Sequence, residues 1–268
     1  MTDRVRAPSF HENRIATART DQLTRILDLQ AELPGIRRMR DWARAALAVR
    51  PGERVLDIGF GTGTEVLACA ERTGPAGAAV GVDPNPALLR PARRRTGPGP
   101  AYFVTGSVDE LPFPTACFDA VRCERVFQFL DDPRAAAAEI ARVLRPGGRA
   151  VLIDSDWFTT IVHPGEPATV RALVAWLRAE VPNPASGRRL RGLLTGAGLV
   201  ADDLGSEAVV WAPQPDGPMY PGQTRTAVEA GVLTAAQGER LLADLAAGAA
   251  AGDHLVSVTM FAALAHRP

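Results

Sequence analysis

Three glycines spaced two residues apart follow an apolar run in VLDIGFGTGTE, residues 55–65. Gly59, Gly61 and Gly63 let the backbone turn tightly and approach a ligand closely, and the helix expected after them offers free N–H groups. Asp57, two residues before the first glycine, would repel a pyrophosphate but tolerate an ammonium group. The G-x-G-x-G spacing also differs from the dinucleotide fingerprint G-x-G-x-x-G. The stretch therefore predicts a strand, loop and helix that bind a ligand with a cationic end.

Strand-like and helical segments alternate around this loop, which is typical of a parallel sheet with helices on both faces. Strands are predicted at RVLDIG, AAVGVD, AYFVTG, FDAVRCE and RAVLIDSD, and helices at about 62–72, 86–95 and 133–144. Asp131 or Asp132 is placed to cap the last of these helices, with Pro133 in its first turn. Two more helices, at about 21–34 and 36–49, precede the first strand and are predicted to form a lid.

The pattern loosens beyond Asp156. Helices are predicted at about 167–180, 186–196 and 234–247, strands at 206–211 and 254–264, and a surface loop at 212–224, which is rich in Pro and Gly. We interpret the chain as one compact domain in three parts. Residues 1–49 form an N-terminal helical lid, 50–156 the cofactor-binding core, and 157–268 an insertion around the substrate pocket that also completes the sheet.

The composition excludes several classes of chemistry. All 30 basic residues are arginine, which excludes a Schiff-base lysine, a lysine base and a P-loop lysine. The 30 acidic residues balance them, so no net field favours nucleic acid or a membrane surface as a partner. Cys69, Cys117 and Cys123 lack C-x-x-C spacing, so we expect neither disulfides nor a metal site. Without an apolar targeting segment, the expected location is cytoplasmic.

The ends of the predicted strands carry the candidate ligand contacts, because parallel sheets bind ligands beyond the carboxyl ends of their strands. Asp83, twenty residues past Gly63 in GVDPNP, can accept hydrogen bonds from both hydroxyls of a ribose. Ser107, Val108 and Asp109, after the third strand, are expected to lie near an adenine-sized slot. Asp83 could instead cap a helix, and Ser107 and Asp109 are also common turn residues. Ribose, adenine and an amino-acid-like cation together describe S-adenosylmethionine.

Four ordered blocks within residues 52–156 resemble the class I S-adenosylmethionine-dependent methyltransferases, most closely their ubiquinone and menaquinone branch. The blocks are VLDIGFGTG, GVDPNP, GSVDELPFPTACFDAV and EIARVLRPGGRAVL. The resemblance implies an α/β fold: a doubly wound, seven-stranded, mostly parallel sheet of the Rossmann-like methyltransferase type. Its last strand would be antiparallel, near SVTMFAALA, and S-adenosylmethionine would be the cofactor.

The resemblance also implies a role for individual positions. The glycine loop would pass the methionine part of the cofactor, with Asp57 near its ammonium group, and Asp83 would hold the ribose. The remaining contacts would come from Pro84 and Asn85 bordering the adenine, Ser107 and Val108 at its edge, Asp109 as a substitute acceptor, and the Cys123 carbonyl at the amino-acid end.

Three positions depart from the family pattern. Ser107 stands where many relatives carry an aspartate, Phe129 where many carry a histidine, and Phe60 replaces a small residue in the glycine loop, where it could pack on the cofactor. The candidate bases are therefore the carboxylates at the end of the fifth strand and a nearby histidine, namely Asp154, Asp156 and His163. A helix cap, a loop residue or a surface imidazole is the alternative for each. Many methyl transfers need no base, since holding the nucleophile in line supplies much of the acceleration.

These features predict methyl transfer to O, N or C of a small molecule, in specialised metabolism. One alternative is an enzyme that binds the same cofactor but catalyses another reaction, such as a cyclisation. A nicotinamide-dependent oxidoreductase is disfavoured by the glycine spacing and Asp57, and a binding module without turnover by the expected pocket and lid. The sequence implies no nucleic-acid or membrane partner, and it is compatible with a homodimer.

Overall fold

In a computed structural model, which describes residues 17–97, 99–213 and 220–268, seven strands form one sheet. They are β1 Arg54–Ile58, β2 Ala78–Asp83, β3 Ala101–Thr105, β4 Phe118–Glu124, β5 Leu144–His163, β6 Val200–Trp211 and β7 Leu255–His266. Their spatial order is β3-β2-β1-β4-β5-β7-β6. The first five are parallel, and β7 is antiparallel to both of its neighbours. The predicted seven-stranded, mostly parallel sheet with an antiparallel last strand is thus confirmed.

Helices cover both faces of this sheet. Their bounds are α1 Thr17–Ala31, α2 Pro34–Leu47, α3 Thr64–Thr73, α4 Leu89–Arg95, α5 Pro133–Val143, α6 Pro167–Ala179, α7 Ser186–Gly196, α8 Tyr220–Glu229 and α9 Ala235–Ala251. Short 3₁₀ turns lie at Pro86–Leu88 and Phe127–Phe129. Asp132 caps α5 by accepting from the N–H groups of Arg134 and Ala135, as the DDP sequence predicts. These caps and turns fix where the loops at the strand ends begin.

Two apolar clusters fill the space between the sheet and its helices. Leu56 and Ile58 of β1 point into the cluster that includes Ile140 of α5 and Leu190 of α7. Val55 points to the opposite face, into the cluster built by α2, α3 and α4. Alternate residues of β1 therefore face opposite helical layers. Asp57 follows this alternation onto the face covered by α2 and α3.

A third cluster forms a cap beyond the carboxyl edge of the sheet. The sequence predicts that β5 ends at Asp156, but β5 continues to His163, where it pairs with the first residues of β7. Helices α6, α8 and α9 pack against this extension around Leu173, Tyr220 and Leu241. Residues 214–219 of the loop predicted at 212–224 lie outside the described residues, and from Tyr220 onward the chain is helix α8 rather than loop.

Candidate functional site

The tips of β1 and β2 face each other across a shared hydrogen bond. The backbone N–H of Gly61 donates to Oδ2 of Asp83 at 3.1 Å, and the N–H of Asn85 donates to Oδ1 at 2.9 Å. The glycine N–H of Gly59 also donates to the carbonyl of Val82 at 2.8 Å. The glycine loop and the carboxylate that the sequence analysis selected independently are therefore in direct contact.

The glycine loop adopts a conformation that side chains would strain. Gly59, Gly61 and Gly63 have φ angles of +74°, +53° and +82°. A Cβ at Gly59 would overlap the side chain of Val126, and one at Gly63 would lie 2.9 Å from the Phe103 ring. Both the positive φ values and the close neighbours require glycine here. The glycines therefore let the backbone of the loop pack closely against these neighbouring side chains.

Asp83 and Asn85 keep hydrogen-bonding capacity that the described residues do not use. Asp83 is 7% exposed, and burial raises the pKa of its carboxyl above the ordinary value. Each carboxylate oxygen accepts one bond and can accept another. The Asn85 Oδ1 caps the 3₁₀ turn at Ala87, while its buried Nδ2 has no partner among the described residues. A pair of acceptors beside an orphan donor fits a polyhydroxyl group such as a ribose.

The residues predicted to border the adenine lie beside the tip of β2, where the Gly106 N–H donates to the Asp83 carbonyl at 3.2 Å. Pro84, Ser107 and Asp109 are exposed, and the Ser107 hydroxyl is 3.4 Å from Oδ2 of Asp109. Val108 is buried, 4% exposed, in the core cluster beneath them. This arrangement provides an apolar floor with polar groups at its rim. Their contact with an adenine stays a prediction.

Asp57 lies in an ion pair that the sequence analysis did not anticipate. Its Oδ1 accepts from Nη1 of Arg122 at 2.8 Å, and the two residues are register partners on β1 and β4. Both side chains are buried, 2% and 7% exposed. Burial raises the pKa of Asp57 to about 6, although Arg122 opposes the rise. The charge expected to face an ammonium group is already balanced inside the protein, which weakens that assignment, although Oδ2 has no partner among the described residues.

The Asp57–Arg122 pair belongs to a buried charge network under α2. Arg122 also donates to Glu124 at 2.8 Å, and Glu124 accepts two bonds from Arg40 of α2, at 2.8 and 2.9 Å. Arg44 donates to Glu65 of α3, which follows the glycine loop. The network fastens α2 to the strands that carry the site. Sequence reasoning missed it, because an alternating strand such as FDAVRCE gives no sign that its arginine points inward.

Helix α1 lies over the glycine loop, where the sequence predicted a lid. A Cβ on Gly61 would be 3.4 Å from Cδ1 of Leu27. Asp28 accepts two bonds from Arg95 of α4, at 2.9 and 2.7 Å, and Gln30 accepts from Arg125 at the end of β4. Arg125 has a φ of +57°, an uncommon conformation for a side-chain-bearing residue that is often found at functional sites. Helix α1 is thus bonded to α4 on one side and to the residue after β4 on the other.

Asp154 is buried and committed to structural hydrogen bonds. It is 0% exposed and accepts from the N–H groups of Ser155 and Gln128 and from the Ser186 hydroxyl, at 2.8 to 3.1 Å. Burial raises the pKa of Asp154 to about 7, which the three bonds only partly offset. The Gln128 side chain then accepts from the Trp157 indole at 2.7 Å. Asp154 therefore holds the loop after β4 in place, and the geometry argues against the predicted role as a base.

The other two candidate bases are also placed elsewhere. Asp156 is 0% exposed and forms a two-bond ion pair with Arg188 of α7. His163 lies at the far end of β5, 53% exposed, with Nε2 at 3.0 Å from Asp253. A proton acceptor must reach the reacting group to act as a base. Both side chains are engaged with other residues in this structure, and their role as bases stays a prediction.

Two further positions named from the sequence are core residues. Cys123 is buried, 2% exposed, between Ile58 and Leu152 in the sheet, and burial raises the pKa of its thiol well above the ordinary value. The prediction for Cys123 concerned its backbone carbonyl and stays a prediction. Phe60 packs edge-on against Phe103, with ring centroids 5.0 Å apart, instead of facing the cleft. This buried position argues against the expectation that Phe60 packs on a cofactor, which stays untested.

The described residues contain neither a candidate metal site nor a membrane-spanning helix. Three or more His, Cys, Asp or Glu side chains are nowhere grouped in a way that could hold a metal ion in this part of the chain. Among the helices between residues 17 and 268 that the structure describes, none is long and apolar enough to cross a bilayer.

Residues 56–152 match the family model of a methyltransferase domain. An uncharacterised 37.1 kDa protein in transposon TN4556 of Streptomyces fradiae is 34% identical over 227 residues, which cover 83% of this chain and 66% of that protein. A demethylmenaquinone methyltransferase of Deinococcus radiodurans is 38% identical over 141 residues, covering 51% of this chain and 55% of its own. The chain thus spans between about half and two thirds of these relatives.

A solved structure shares the architecture. The [4+2]-cyclase SpnF aligns with a TM-score of 0.55 at 20% identity, covering 86% of this chain and 80% of that one. At this identity the likeness concerns the fold alone.

Proposed function

We propose, from the premise that the chain belongs to the class I S-adenosylmethionine-dependent methyltransferases, that it transfers a methyl group to O, N or C of a small-molecule acceptor. The cofactor of this family is S-adenosylmethionine. The observation that carries the proposal is the contact between the Gly61 N–H and the Asp83 carboxylate, because it joins the two strand tips into one cradle. The sulfonium supplies an activated methyl group when the cofactor is bound.

The residues around the cradle fit this cofactor. Asp83 would accept from the ribose hydroxyls, and the orphan Nδ2 of Asn85 would donate to the same part of the ligand. The bare glycine backbone would approach the methionine part. Val108 would contact one face of the adenine, and Ser107, Asp109 and Pro84 would lie around the edge of the ring. Asp57 would act at a distance, since Arg122 already takes one of its oxygens.

The chain's own contribution to the reaction would be to orient the acceptor and exclude water. Near the glycine loop, the described residues place no histidine, and Asp154 and Asp156 are occupied by internal bonds. We therefore infer that alignment of the nucleophile, more than proton removal by a dedicated base, lowers the barrier. Helix α1 would close the cleft over the bound molecules, and the cap would border the acceptor.

Calorimetry with S-adenosylhomocysteine tests the cradle. The Asp83→Ala variant is expected to lose at least tenfold in affinity while the far-ultraviolet circular dichroism stays unchanged, because two ribose hydrogen bonds to a carboxylate are removed. Asp131→Asn, an exposed change in the loop before α5, is the matched control and should bind as the parent does. Unchanged affinity in Asp83→Ala would contradict the proposal.

Label transfer distinguishes methylation from its main alternative. This alternative is an enzyme that uses the charge of the bound sulfonium to stabilise another reaction, for instance a cyclisation. It is supported by the lack of an evident base among the described residues near the glycine loop. With methyl-labelled S-adenosylmethionine and a panel of phenols, amines and activated carbon acids, methylation predicts label in the product and release of S-adenosylhomocysteine. A rearranged product without label would favour the alternative.

We also propose that the enzyme is cytoplasmic and that it acts in specialised metabolism. Free cysteines support an intracellular setting: Cys69 and Cys123 are buried thiols without a disulfide. The edge strand β6 leaves one side of the sheet available to a second copy, which is how a homodimer would form. Sedimentation at micromolar concentration would test the dimer.

A further inference from the structure

A cavity of about 70 Å³ lies in the cap. Trp211 at the end of β6, Tyr220 at the start of α8, Leu245 of α9 and Val256 of β7 line it. Val256 of β7 pairs with Val162 of β5. At the tip of β4, Glu124 pairs with Ile153 of β5, which in turn pairs with Ala262 of β7, six residues beyond Val256. Six residues of strand span about 20 Å. The cavity is therefore separate from the cleft at the glycine loop.

Two of the residues that line it each carry a buried polar atom that has no hydrogen-bond partner among the described residues. They are the hydroxyl oxygen of Tyr220 and Nε1 of Trp211. Tyr220 is only 3% exposed, and burial raises the pKa of its phenol well above the ordinary value, so it remains a neutral O–H donor. Buried donors are nearly always paired in folded proteins. Two unpaired donors on residues that line one cavity indicate that a molecule in the cavity accepts from them.

The rest of the wall limits what that something is. It is apolar apart from His254, with leucine, alanine, proline and valine side chains, and no arginine or carboxylate lines it among the described residues. A charged ligand would lose its hydration without gaining an ion pair. A neutral apolar molecule with one oxygen acceptor would satisfy both donors and fill the remaining space.

We propose that this cavity is a second binding site, for a neutral apolar small molecule whose carbonyl oxygen accepts hydrogen bonds from Trp211 and Tyr220. The site does not depend on the methyl-transfer assignment. Ordered water is the competing occupant, because water can also satisfy isolated buried donors.

A pair of probes of nearly equal shape separates these occupants. Cyclopentanone carries the carbonyl oxygen, and methylenecyclopentane replaces it with a CH₂ group. The chain has four tryptophans, so the indole N–H signals in a nitrogen-15 proton correlation spectrum are few, and the Trp211→Phe variant assigns the one that matters. Cyclopentanone at millimolar concentration should shift the Trp211 signal downfield in a saturable way, and methylenecyclopentane should bind at least tenfold more weakly.

Matched variants test the residues themselves. Tyr220→Phe should weaken cyclopentanone binding about three- to tenfold, the weight of one hydrogen bond, and leave methylenecyclopentane unaffected. Tyr102→Phe, at an exposed tyrosine on β3, is its control. Ala249→Leu on α9 should fill the cavity and abolish binding, whereas Ala250→Leu, the exposed neighbour that does not line it, should not.

Each other outcome overturns the proposal. No saturable shift with either probe means that water alone occupies the cavity. Equal binding of the two probes, or binding that survives both Tyr220→Phe and Ala249→Leu, means that the polar wall does not recognise a ligand. Titration of the same sample with S-adenosylhomocysteine reports on the glycine loop separately, so failure of one site is distinguishable from failure of the other.

Discussion

At the scale of single residues, the site illustrates what a motif can and cannot specify. Asp83 and the glycines were predictable because a bare loop and a carboxylate at neighbouring strand ends serve one purpose. The partner of Asp57 was not predictable. It depends on the register of β1 against β4, which places Arg122 directly beside it. Sequence spacing does not encode that register, so the carboxylate expected to face a ligand faces an arginine.

This pairing leads to a stability prediction. Asp57→Asn should lower the free energy of unfolding by about 1.5 to 3 kcal/mol, because it removes one charged hydrogen bond from the buried Arg122 while the pair with Glu124 remains. It should change S-adenosylhomocysteine affinity less than twofold. Adding Arg122→Gln should recover part of the stability, as measured by urea unfolding. Normal stability of the single variant combined with weak ligand binding would instead return Asp57 to the ammonium site.

Asp154 predicts a pH dependence whose sign follows from its raised pKa. Burial raises it from 3.8 to about 7. Below about pH 4 both folded and unfolded chains are protonated there. Between pH 4 and 7 the unfolded chain ionises while the folded protein keeps the proton, so the free energy of unfolding should fall by about 1.4 kcal/mol per pH unit from this group. Above pH 7 the contribution levels off.

Subtracting the unfolding curve of Asp154→Asn from that of the parent isolates the Asp154 contribution, and Asp131→Asn is the exposed control. Parallel curves for the parent and Asp154→Asn from pH 4 to 8 would show that Asp154 ionises normally in the folded protein.

At the scale of the elements, α1 is the part most suited to gate the cofactor. Its tie to α4, Asp28–Arg95, is partly exposed, with 43% and 35% of the side chains accessible, and ion pairs of this kind contribute about 0.2 to 1 kcal/mol. Arg95→Gln should therefore raise the dissociation rate of S-adenosylhomocysteine by up to about fivefold in stopped-flow measurements. Asp28→Asn should raise the dissociation rate by a similar factor. The double variant should release S-adenosylhomocysteine no faster than either single variant.

Arg94→Gln, the exposed neighbour on α4, is the matched control for the tether. Rates that match the parent's in Arg95→Gln, or additive effects of the two tether variants, would mean that the pair does not hold the lid.

Elements whose ends carry capping or helix-ending residues were predictable, and elements without such residues were not. Helices α5 and α7 fall within a residue or so of the prediction, since Asp132-Pro133 opens α5 and a glycine ends α7. Strand β6 begins at Val200, six residues before the prediction. Its first half, ADDLGS, is polar because it lies at the sheet edge, where one side faces solvent. Alternation, the usual strand signal, is weakest there.

At the scale of the whole molecule, the cap and the core are joined by continuous strands. β5 and β7 run from the core clusters into the cap cluster without an intervening loop, and they pair on both sides of an irregularity between Asp156 and Ile161. Sequence analysis missed this continuity, because the apolar run that identifies β5 stops at the sheet edge. The strands make the cap part of one cooperative structure, in agreement with the single compact domain that we propose.

Calorimetric unfolding tests this cooperativity. Leu173→Ala in the cap and Ile140→Ala in the core both remove fully buried side chains and should each cost about 2 to 5 kcal/mol. If the strands couple the two regions, both variants lower the temperature of one shared transition, because neither cluster can melt without breaking β5 and β7. If the cap melts independently, Leu173→Ala splits the profile into two peaks, and Ile140→Ala shifts only the larger one.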